Sequence, residues 1–219
     1  QKAKDLMRFF KTGKGEYGEG DIFLGIMVPV QREIAKEFWK ELSMGDIQEL
    51  LNTKIHEKRM IALLALMLKY KKADEIERKN IFEFYLSNTK NINNWDLVDL
   101  SCRDIVGAYI FEKDRAILYK LAKSNHLWEK RIAVVSTFYF IGRKQFEDSL
   151  KIAEILLKDK HDLIHKAVGW MLREIGKRDE KVLKDFLARH YKKMPRTMLR
   201  YSIEKFPPDL RKKYLNGGI

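Results

Sequence analysis

A repeated helical pattern constrains the fold of this chain more than any other feature of its sequence. Helix-forming residues dominate, Pro occurs only four times, and strand-type alternation is scarce. Residues 56–62 (HEKRMIA) resemble residues 128–134 (WEKRIAV), and residues 163–168 (LIHKAV) are a weaker copy. Aligning Arg59, Arg131 and Lys166 gives offsets of 72 and 35 residues, which correspond to a period of about 36 residues.

A period of this length, made of helix pairs, predicts an all-α fold of the HEAT-like helical-repeat type, a superhelix also called an α-solenoid. One helix pair cannot bury its own apolar face, so neighbouring pairs stack into a continuous core. We therefore expect a single HEAT-like repeat domain over residues 1–219. The second helices of the pairs would line a concave basic groove.

Capping residues and breaks in the apolar pattern predict the individual helices. Asp46 is the expected cap of the third helix, and Gly176 is the expected end of the tenth. A Gly-rich loop at residues 12–21 has the G-x-G-x-x-G spacing, but no strand precedes it and its two Glu residues would repel a pyrophosphate. The helices are predicted at residues 3–11, 29–42, 46–51, 56–70, 73–86, 95–111, 113–122, 127–141, 145–157, 162–176, 179–190, 195–206 and 209–215.

The charge of the chain is concentrated in its second half. Residues 1–119 contain 20 Lys and Arg against 19 Asp and Glu, whereas residues 120–219 contain 24 against 12. A basic half of this kind is expected of a protein that binds nucleic acid. A solvated basic face or a preference for a membrane surface is the alternative interpretation.

Several classes of site are disfavoured by the composition. The single cysteine, Cys102, rules out an intramolecular disulfide and a Cys-based metal site. The longest apolar run, residues 61–68, is too short to span a bilayer, and no signal peptide is visible. His161 and His165 have zinc-like spacing, but the Glu of a zinc hydrolase is missing between them. We expect a cytoplasmic monomer without metal or cofactor.

The segment Asn93 to Asp99 is the strongest candidate for a functional site. If Asn94 caps a helix, Trp95 and Asp99 lie one turn apart on the same face, and Asp96 points elsewhere. A flat aromatic ring beside a carboxylate suits an aromatic ligand that develops positive charge. The alternative is structural, with Asn94 or Asp96 only capping the helix and Trp95 packing in the core.

Two further repeats place candidate residues at equivalent positions. Arg131 lies in the next copy of the repeat, and Trp170 and Arg173 lie in the copy after it. In a solenoid, equivalent positions of successive repeats lie side by side. We therefore expect two Trp, a carboxylate and Arg side chains to converge on one groove.

These motifs carry a family resemblance. Residues 94–99 (NWDLVD), 128–131 (WEKR) and 167–174 (AVGWMLRE), with 9–13 (FFKTG) and 23–25 (FLG), are similar to the AlkD-type DNA alkylation repair glycosylases. The resemblance covers nearly the whole chain. It implies a HEAT-like superhelix around duplex DNA that excises cationic N3- or N7-alkylated purines, such as 3-methyladenine and 7-methylguanine, in base excision repair.

The resemblance also assigns roles to individual residues. Trp95 and Trp170 match the aromatic pair that contacts the lesion nucleotide, and Asp99 matches the catalytic carboxylate. Arg131 matches an arginine of the DNA-binding groove, and Arg173 resembles a further phosphate contact. The chemistry agrees, because a carboxylate can stabilise an oxocarbenium-like sugar and position water. No Lys is marked as a Schiff-base nucleophile, so a monofunctional hydrolase is expected.

Two other functions remain open on the sequence. The first is a non-catalytic HEAT-like protein that recognises damaged or branched DNA by shape. The second is a helical-repeat adaptor for proteins, which would bind DNA weakly and without salt dependence. The expected partner is double-stranded DNA with alkylated purines, with no membrane and no obligate protein partner.

Overall fold

The computed structural model describes residues 1–218 and is all-helical, as predicted. The chain forms two compact units, Gln1–Tyr109 and the remainder from Ile110 onward. The first unit contains α1 (Lys2–Phe9), α2 (Val28–Phe38), α3 (Met44–Leu51), α4 (His56–Lys72), α5 (Glu75–Ser87) and α6 (Trp95–Cys102), followed by a π-helical turn (Arg103–Gly107). The second contains α7 (Ala116–Ala122), α8 (Leu127–Ser136), α9 (Phe138–Ile141), α10 (Glu147–Leu156), α11 (Asp162–Gly176), α12 (Glu180–His190), a 3₁₀ turn (Tyr191–Lys193), α13 (Arg196–Ser202) and α14 (Pro208–Leu215).

Each unit is built around one long, largely buried helix. In the first unit α4 packs against α2, α3, α5 and α6, and in the second α11 packs against α8, α9, α10, α12 and α13. Because each unit has a core of its own, the single domain over residues 1–219 stays a prediction, as does the concave groove. No helix within residues 1–218 has both the length and the apolar character needed to cross a membrane.

The only β-type pairing found in residues 1–218 joins the N-terminal segment to the start of α4. Ile22 and Ile55 form an isolated parallel bridge, in which Ile22 N donates to Lys54 O and His56 N donates to Ile22 O, both at 2.9 Å. The bridge places the segment before α2 directly beside the first turn of α4.

One local prediction on a helix end needs correction, and another is confirmed. Ser43, not Asp46, is the N-cap of α3, and Asp46 is the third helical residue of a capping box in which each side chain bonds the other's backbone N–H. Gly176 is the last residue of α11, as predicted. Its role is steric, because a Cβ there would lie 2.4 Å from Leu183 Cδ2.

The Gly-rich loop allows a close approach of the backbone to itself. Gly18 N donates to Lys11 O, and a Cβ on Gly18 would lie 2.4 Å from Phe10 O. Gly15 and Gly20 adopt φ values of 80° and 85°, which favour glycine. The loop therefore returns the chain to the end of α1 just before the segment that pairs with the start of α4.

Candidate functional site

The first turn of α6 is fixed by its cap, as the sequence predicts. Asn94 is extended, and its Oδ1 accepts a hydrogen bond of 2.8 Å from Trp95 N. The helix then runs to Cys102 and continues into the π-helical turn, so the predicted helix over residues 95–111 changes its geometry after two turns. Such π-helical turns occur frequently at functional sites.

The two faces of α6 differ sharply in exposure. Leu97, Val98, Ser101 and Cys102 are fully buried, whereas Trp95 and Asp99, one turn apart, are half-buried. On the buried face Ser101 Oγ donates to Leu97 O at 2.6 Å and bonds the hydroxyl of Tyr85 at 2.8 Å, which ties α6 to α5. The accessible face of α6 therefore presents the predicted pair of indole and carboxylate.

The hydroxyl of Tyr85 on α5 is buried against α6. Burial, with smaller contributions from Cys102 and Asp99, holds the pKa of the Tyr85 hydroxyl well above its ordinary value. Tyr85 is therefore neutral at physiological pH and stays in its hydrogen bond with Ser101.

Trp95 belongs to a stack of aromatic rings. Its indole is stacked on Phe10 at 5.2 Å and 17°, and Phe9 lies edge-on to it at 6.0 Å. Phe10 in turn stacks on Phe23 at 4.9 Å, and Phe23 stacks on the imidazole of His56 at 4.4 Å. Trp95 is half-buried, so its indole packs on the buried ring of Phe10 and is also partly exposed. Trp95 lies at the accessible end of the stack.

A buried polar cluster lies beneath this stack. His56 is 2% exposed, with Nε2 2.8 Å from Asp96 Oδ2 and Nδ1 3.4 Å from Asp21 Oδ2. Arg59 Nη2 lies 2.6 Å from the same Asp21 oxygen, and Arg59 Nη1 donates to Asn93 Oδ1 at 2.7 Å. The cluster thus joins the N-terminal segment, α4 and the start of α6.

The cluster shifts the titration of two of its members. Burial lowers the pKa of His56, but the hydrogen bonds to Asp21 and Asp96 and the charge of Asp96 outweigh burial, so the pKa is raised. Burial raises the pKa of Asp21, but the hydrogen bond to His56 and the charge of Arg59 outweigh it, so the pKa is lowered. Both pKa shifts favour a protonated His56 between the carboxylates of Asp21 and Asp96.

Glu57 anchors the segment that follows Phe23. Its carboxylate accepts hydrogen bonds from the backbone N–H groups of Leu24, Gly25 and Ile26 at 2.8–3.2 Å. Gly25 has a φ of 89°, and a Cβ there would lie 3.1 Å from Ala3 N. This carboxylate is 1% exposed and is satisfied entirely by backbone donors.

In the second unit, Arg131 is 5% exposed and its Nη1 donates to Leu163 O at 2.6 Å. This bond joins α8 to the first turn of α11, the helix that carries Trp170 and Arg173. A phosphate contact by Arg131 stays a prediction. The bond to Leu163 gives the residue a structural role as well.

Trp170 and Arg173 lie three residues apart on α11 and are both half-buried. The indole of Trp170 packs edge-on against Phe138 at 5.5 Å and 61°. The guanidinium of Arg173 pairs with Glu204, and its Nε lies 3.9 Å from Glu174 Oε1. Trp170 and Arg173 are thus accessible in the second unit, while their contact with DNA stays a prediction.

Gly169, the glycine of the AVGW motif (residues 167–170), directly precedes Trp170 on α11. Gly169 lies where α13 crosses α11, and a Cβ there would lie 2.5 Å from Tyr201 Cβ and 2.6 Å from Met198 O. A glycine is therefore needed one residue before Trp170 to let the two helices pack.

His161 and His165, the two histidines with zinc-like spacing, form hydrogen bonds with the backbone. His161 Nδ1 accepts from Leu163 N and caps α11, and His165 Nε2 lies 2.6 Å from Asp159 O. Across the described residues, 1–218, no group of three or more His, Cys, Asp or Glu side chains is arranged to hold a metal ion.

Sequence reasoning did not find the buried cluster. His56 and Arg59 stood out only as part of a repeat, and Asp21 only as the end of the Gly-rich loop. Asp21 and Asp96 are 35 and 40 residues from His56, so only tertiary packing brings them together. One signal in the sequence could have indicated the cluster: His56 and Arg59 lie one turn apart at the start of an otherwise apolar helix. Charged side chains on a buried helix need partners of opposite charge.

Comparison with known proteins places the chain in a family. The family model for "DNA alkylation repair enzyme" matches residues 1–206. The chain belongs to the DNA alkylation repair enzyme family. No curated protein sequence matches it significantly.

Solved structures share the fold of this family member. One described as a predicted DNA alkylation repair enzyme from Enterococcus faecalis superposes with a TM-score of 0.72 at 15% identity, covering 94% of this chain and 95% of that chain. AlkD2 from Streptococcus mutans superposes with a TM-score of 0.61 at 17% identity, covering 95% and 100%. The all-helical repeat fold predicted from the sequence is therefore confirmed.

Proposed function

We propose that this member of the DNA alkylation repair enzyme family is a monofunctional DNA glycosylase. Its reaction is hydrolysis of the N-glycosidic bond of cationic N3- or N7-alkylated purines, such as 3-methyladenine and 7-methylguanine, in duplex DNA. The observation that carries the proposal is the accessible face of α6, where Trp95 and Asp99 lie one helical turn apart.

Asp99 suits the charge that develops in this reaction. Alkylation at N3 or N7 makes the purine cationic, so the base leaves as a neutral molecule with the electron pair of the glycosidic bond. The sugar then carries positive charge, which a carboxylate stabilises electrostatically. Asp99 would also orient water toward the sugar carbon and accept the proton that the water loses.

Trp95 suits recognition of the cationic base. An indole face attracts a cation by about 0.5–2 kcal/mol. The stacking of Trp95 on Phe10 holds the ring in one orientation before any ligand binds, which reduces the entropy lost on binding. Trp170 of the second unit, packed on Phe138, is proposed as the second aromatic contact.

The second unit supplies the positive charge for the DNA backbone. Residues 1–109 carry 18 Lys and Arg against 17 Asp and Glu, whereas the residues from Ile110 onward carry 26 against 14. Residues 192–213 alone contain eight Lys and Arg against two acidic residues. Phosphate contacts account for most of the non-specific affinity of such proteins. Arg131 and Arg173 are the individual contacts that we propose.

The test is release of free 7-methylguanine and 3-methyladenine from methylated duplex DNA under single-turnover conditions. Asp99→Asn is compared with Glu83→Gln, which removes the same charge from an exposed position of α5. We expect base release by the wild type and by Glu83→Gln. We expect a loss of about 100- to 1000-fold in Asp99→Asn with unchanged DNA affinity.

Other outcomes distinguish the alternatives. No release by the wild type, together with tight and salt-sensitive binding to duplex or branched DNA, would favour the non-catalytic DNA-binding protein, a function that the basic second unit also supports. Release that Asp99→Asn leaves unchanged would retain the glycosylase and refute the role of Asp99.

A further inference from the structure

His56 joins three parts of the first unit at the point where the candidate site begins. The imidazole belongs to the first residue of α4, and its two nitrogens face Asp21 of the N-terminal segment and Asp96 of α6. It is 2% exposed, so these contacts are shielded from bulk solvent. Removing it would leave two buried carboxylates with one cation, Arg59, which pairs with Asp21 and not with Asp96.

Asp96 transmits this contact to Trp95 and Asp99. Asp96 follows Trp95 directly in the first turn of α6, and its second oxygen, Oδ1, accepts from Leu97 N at 2.8 Å. The position of the Asp96 carboxylate therefore sets the direction in which the first turn of α6 leaves its cap. Asp99 lies one turn further along the same rigid helix.

The aromatic stack provides a second connection. The imidazole of His56 lies 5.2 Å from the ring of Phe10, and Phe10 stacks on Trp95. Both connections end at the same indole, one through α6 and one through the rings. A change in the charge or position of His56 therefore acts on Trp95 from two sides.

We propose that protonated His56 is a positioning residue for Trp95 and Asp99. By holding Asp21 and Asp96 together it fixes the first turn of α6, and loss of its proton loosens this turn, so that the candidate site becomes sensitive to pH. The expected effect on activity rests on the proposed glycosylase function. The expected effect on the position of Trp95 rests on the geometry alone.

The charged groups that face His56 determine the direction of the effect. Asp21 and Asp96 favour the imidazolium from the N-terminal segment and from α6, and Arg59 opposes it from one turn further along α4. Glu57, the next residue of α4, is directed to the backbone of residues 24–26 instead. Because two carboxylates favour the imidazolium and one guanidinium opposes it, the protonated state of His56 is favoured.

The test follows Trp95 directly, with the protein labelled with 5-fluorotryptophan. The chain has four tryptophans, and Trp95→Phe assigns the resonance of Trp95. The ¹⁹F spectrum is recorded between about pH 5.5 and pH 9, the range in which histidines titrate. His56→Gln is compared with His165→Gln, a matched change at a half-buried histidine of the second unit whose partner is a backbone carbonyl.

We expect the Trp95 resonance of the wild type and of His165→Gln to shift with a midpoint above the ordinary histidine value. In His56→Gln the resonance would be broadened and independent of pH. Base release would fall by about 10- to 100-fold in His56→Gln, because a small misplacement of catalytic groups has costs of this order. DNA affinity would change by less than about twofold, since His56 is 2% exposed and offers no surface for a phosphate contact.

The outcomes separate the two proposals. A wild type without base release refutes the glycosylase, while the ¹⁹F titration still decides the role of His56. An active wild type whose Trp95 resonance titrates identically in His56→Gln refutes the positioning role and leaves the glycosylase intact. If His56→Gln does not fold, Asp96→Asn keeps a hydrogen-bond acceptor for His56 Nε2 and removes one of the two carboxylate charges that favour the imidazolium. A Trp95 resonance that titrates in Asp96→Asn with the midpoint of the wild type refutes the proposal.

Discussion

Arg59 and Arg131, 72 residues apart in the chain, make equivalent contacts within their own units. Arg59 Nη1 donates to Asn93 Oδ1 at 2.7 Å, two residues before α6 begins, and Arg131 Nη1 donates to Leu163 O at 2.6 Å, in the first turn of α11. Both side chains are about 5% exposed. The repeated arginine therefore joins one helix of the repeat to the beginning of the helix that carries the candidate functional residues.

This contact predicts that Arg131→Gln lowers the stability of the protein. The variant loses a buried hydrogen bond from a charged donor, which is worth about 1.5–3 kcal/mol of unfolding free energy. Urea denaturation measures the change. Arg200→Gln, at an exposed position of α13, is the control and should stay within about 0.5 kcal/mol of the wild type. Unchanged stability in Arg131→Gln would leave only its proposed role in binding DNA.

The basic C-terminal segment predicts a salt-dependent contribution to DNA binding. In the double variant Lys212→Gln/Lys213→Gln we expect the slope of log Kd against log salt to fall by up to about 2, independently of DNA sequence. Lys71→Gln/Lys72→Gln, at the exposed end of α4, removes the same charge from the nearly neutral first unit. Equal effects of the two double variants would show that the location of the charge is unimportant.

The indoles are expected to act in base release and not in general DNA affinity. Trp95→Leu should slow the release of 7-methylguanine by about 2- to 30-fold, the range that corresponds to one cation–π contact. Trp170→Leu should have an effect of the same order if it is the second aromatic contact. Binding to unmodified duplex DNA serves as the control. A loss of affinity for unmodified DNA equal to the loss of rate would speak against recognition of the cationic base.

A pair of glycines predicts opposite effects of the same substitution. Gly169→Ala should lower the unfolding free energy by at least about 1 kcal/mol, since its Cβ would lie 2.6 Å from the backbone oxygen of Met198. Gly45→Ala in α3 meets only Ser43 Oγ at 3.5 Å and should stabilise by about 0.5–1 kcal/mol through helix propensity. Thermal or urea unfolding measures both, and a stabilised Gly169→Ala would contradict the close packing of α11 on α13.

The pH dependence of stability should report on His56. Because its pKa is raised on folding, its contribution is complete below the unfolded value of about 6.5 and is lost as the pH rises through the folded pKa. Asp21 has the opposite dependence, since its lowered pKa gives stability that is lost only as the pH falls through that value.

We therefore expect the unfolding free energy of the wild type to decrease above about pH 6.5, with a slope of at most about 1.4 kcal/mol per pH unit. His56→Gln should lack this decrease. Burial lowers the pKa of His161, which gives a dependence of opposite sign, so the difference between wild type and variant isolates His56. Parallel curves for the two proteins would contradict a charged His56 in the folded state.

The helices were predictable because their local signals agree with the fold. The apolar pattern gave α11 its observed bounds, and Asn94 predicted the start of α6. The cap of α3 was misassigned because Ser43 and Asp46 are both good capping residues, and only their reciprocal hydrogen bonds distinguish them. The steric role of Gly169 depends on Met198, 29 residues later, and the His56 cluster depends on Asp21 and Asp96, 35 and 40 residues away. A local sequence pattern does not reveal contacts over such separations.

The attachment of residues 21–26 to α4 also sets an order for folding. During synthesis residues 21–26 leave the ribosome before Glu57, which binds their backbone and lies more than 30 residues later, and before Asp96, which lies later still. Phe10 and Phe23 can therefore make their contacts with His56 only after the start of α4 has been synthesised. The segment that supports Trp95 is thus synthesised before the helices α4 and α6 that hold it in place.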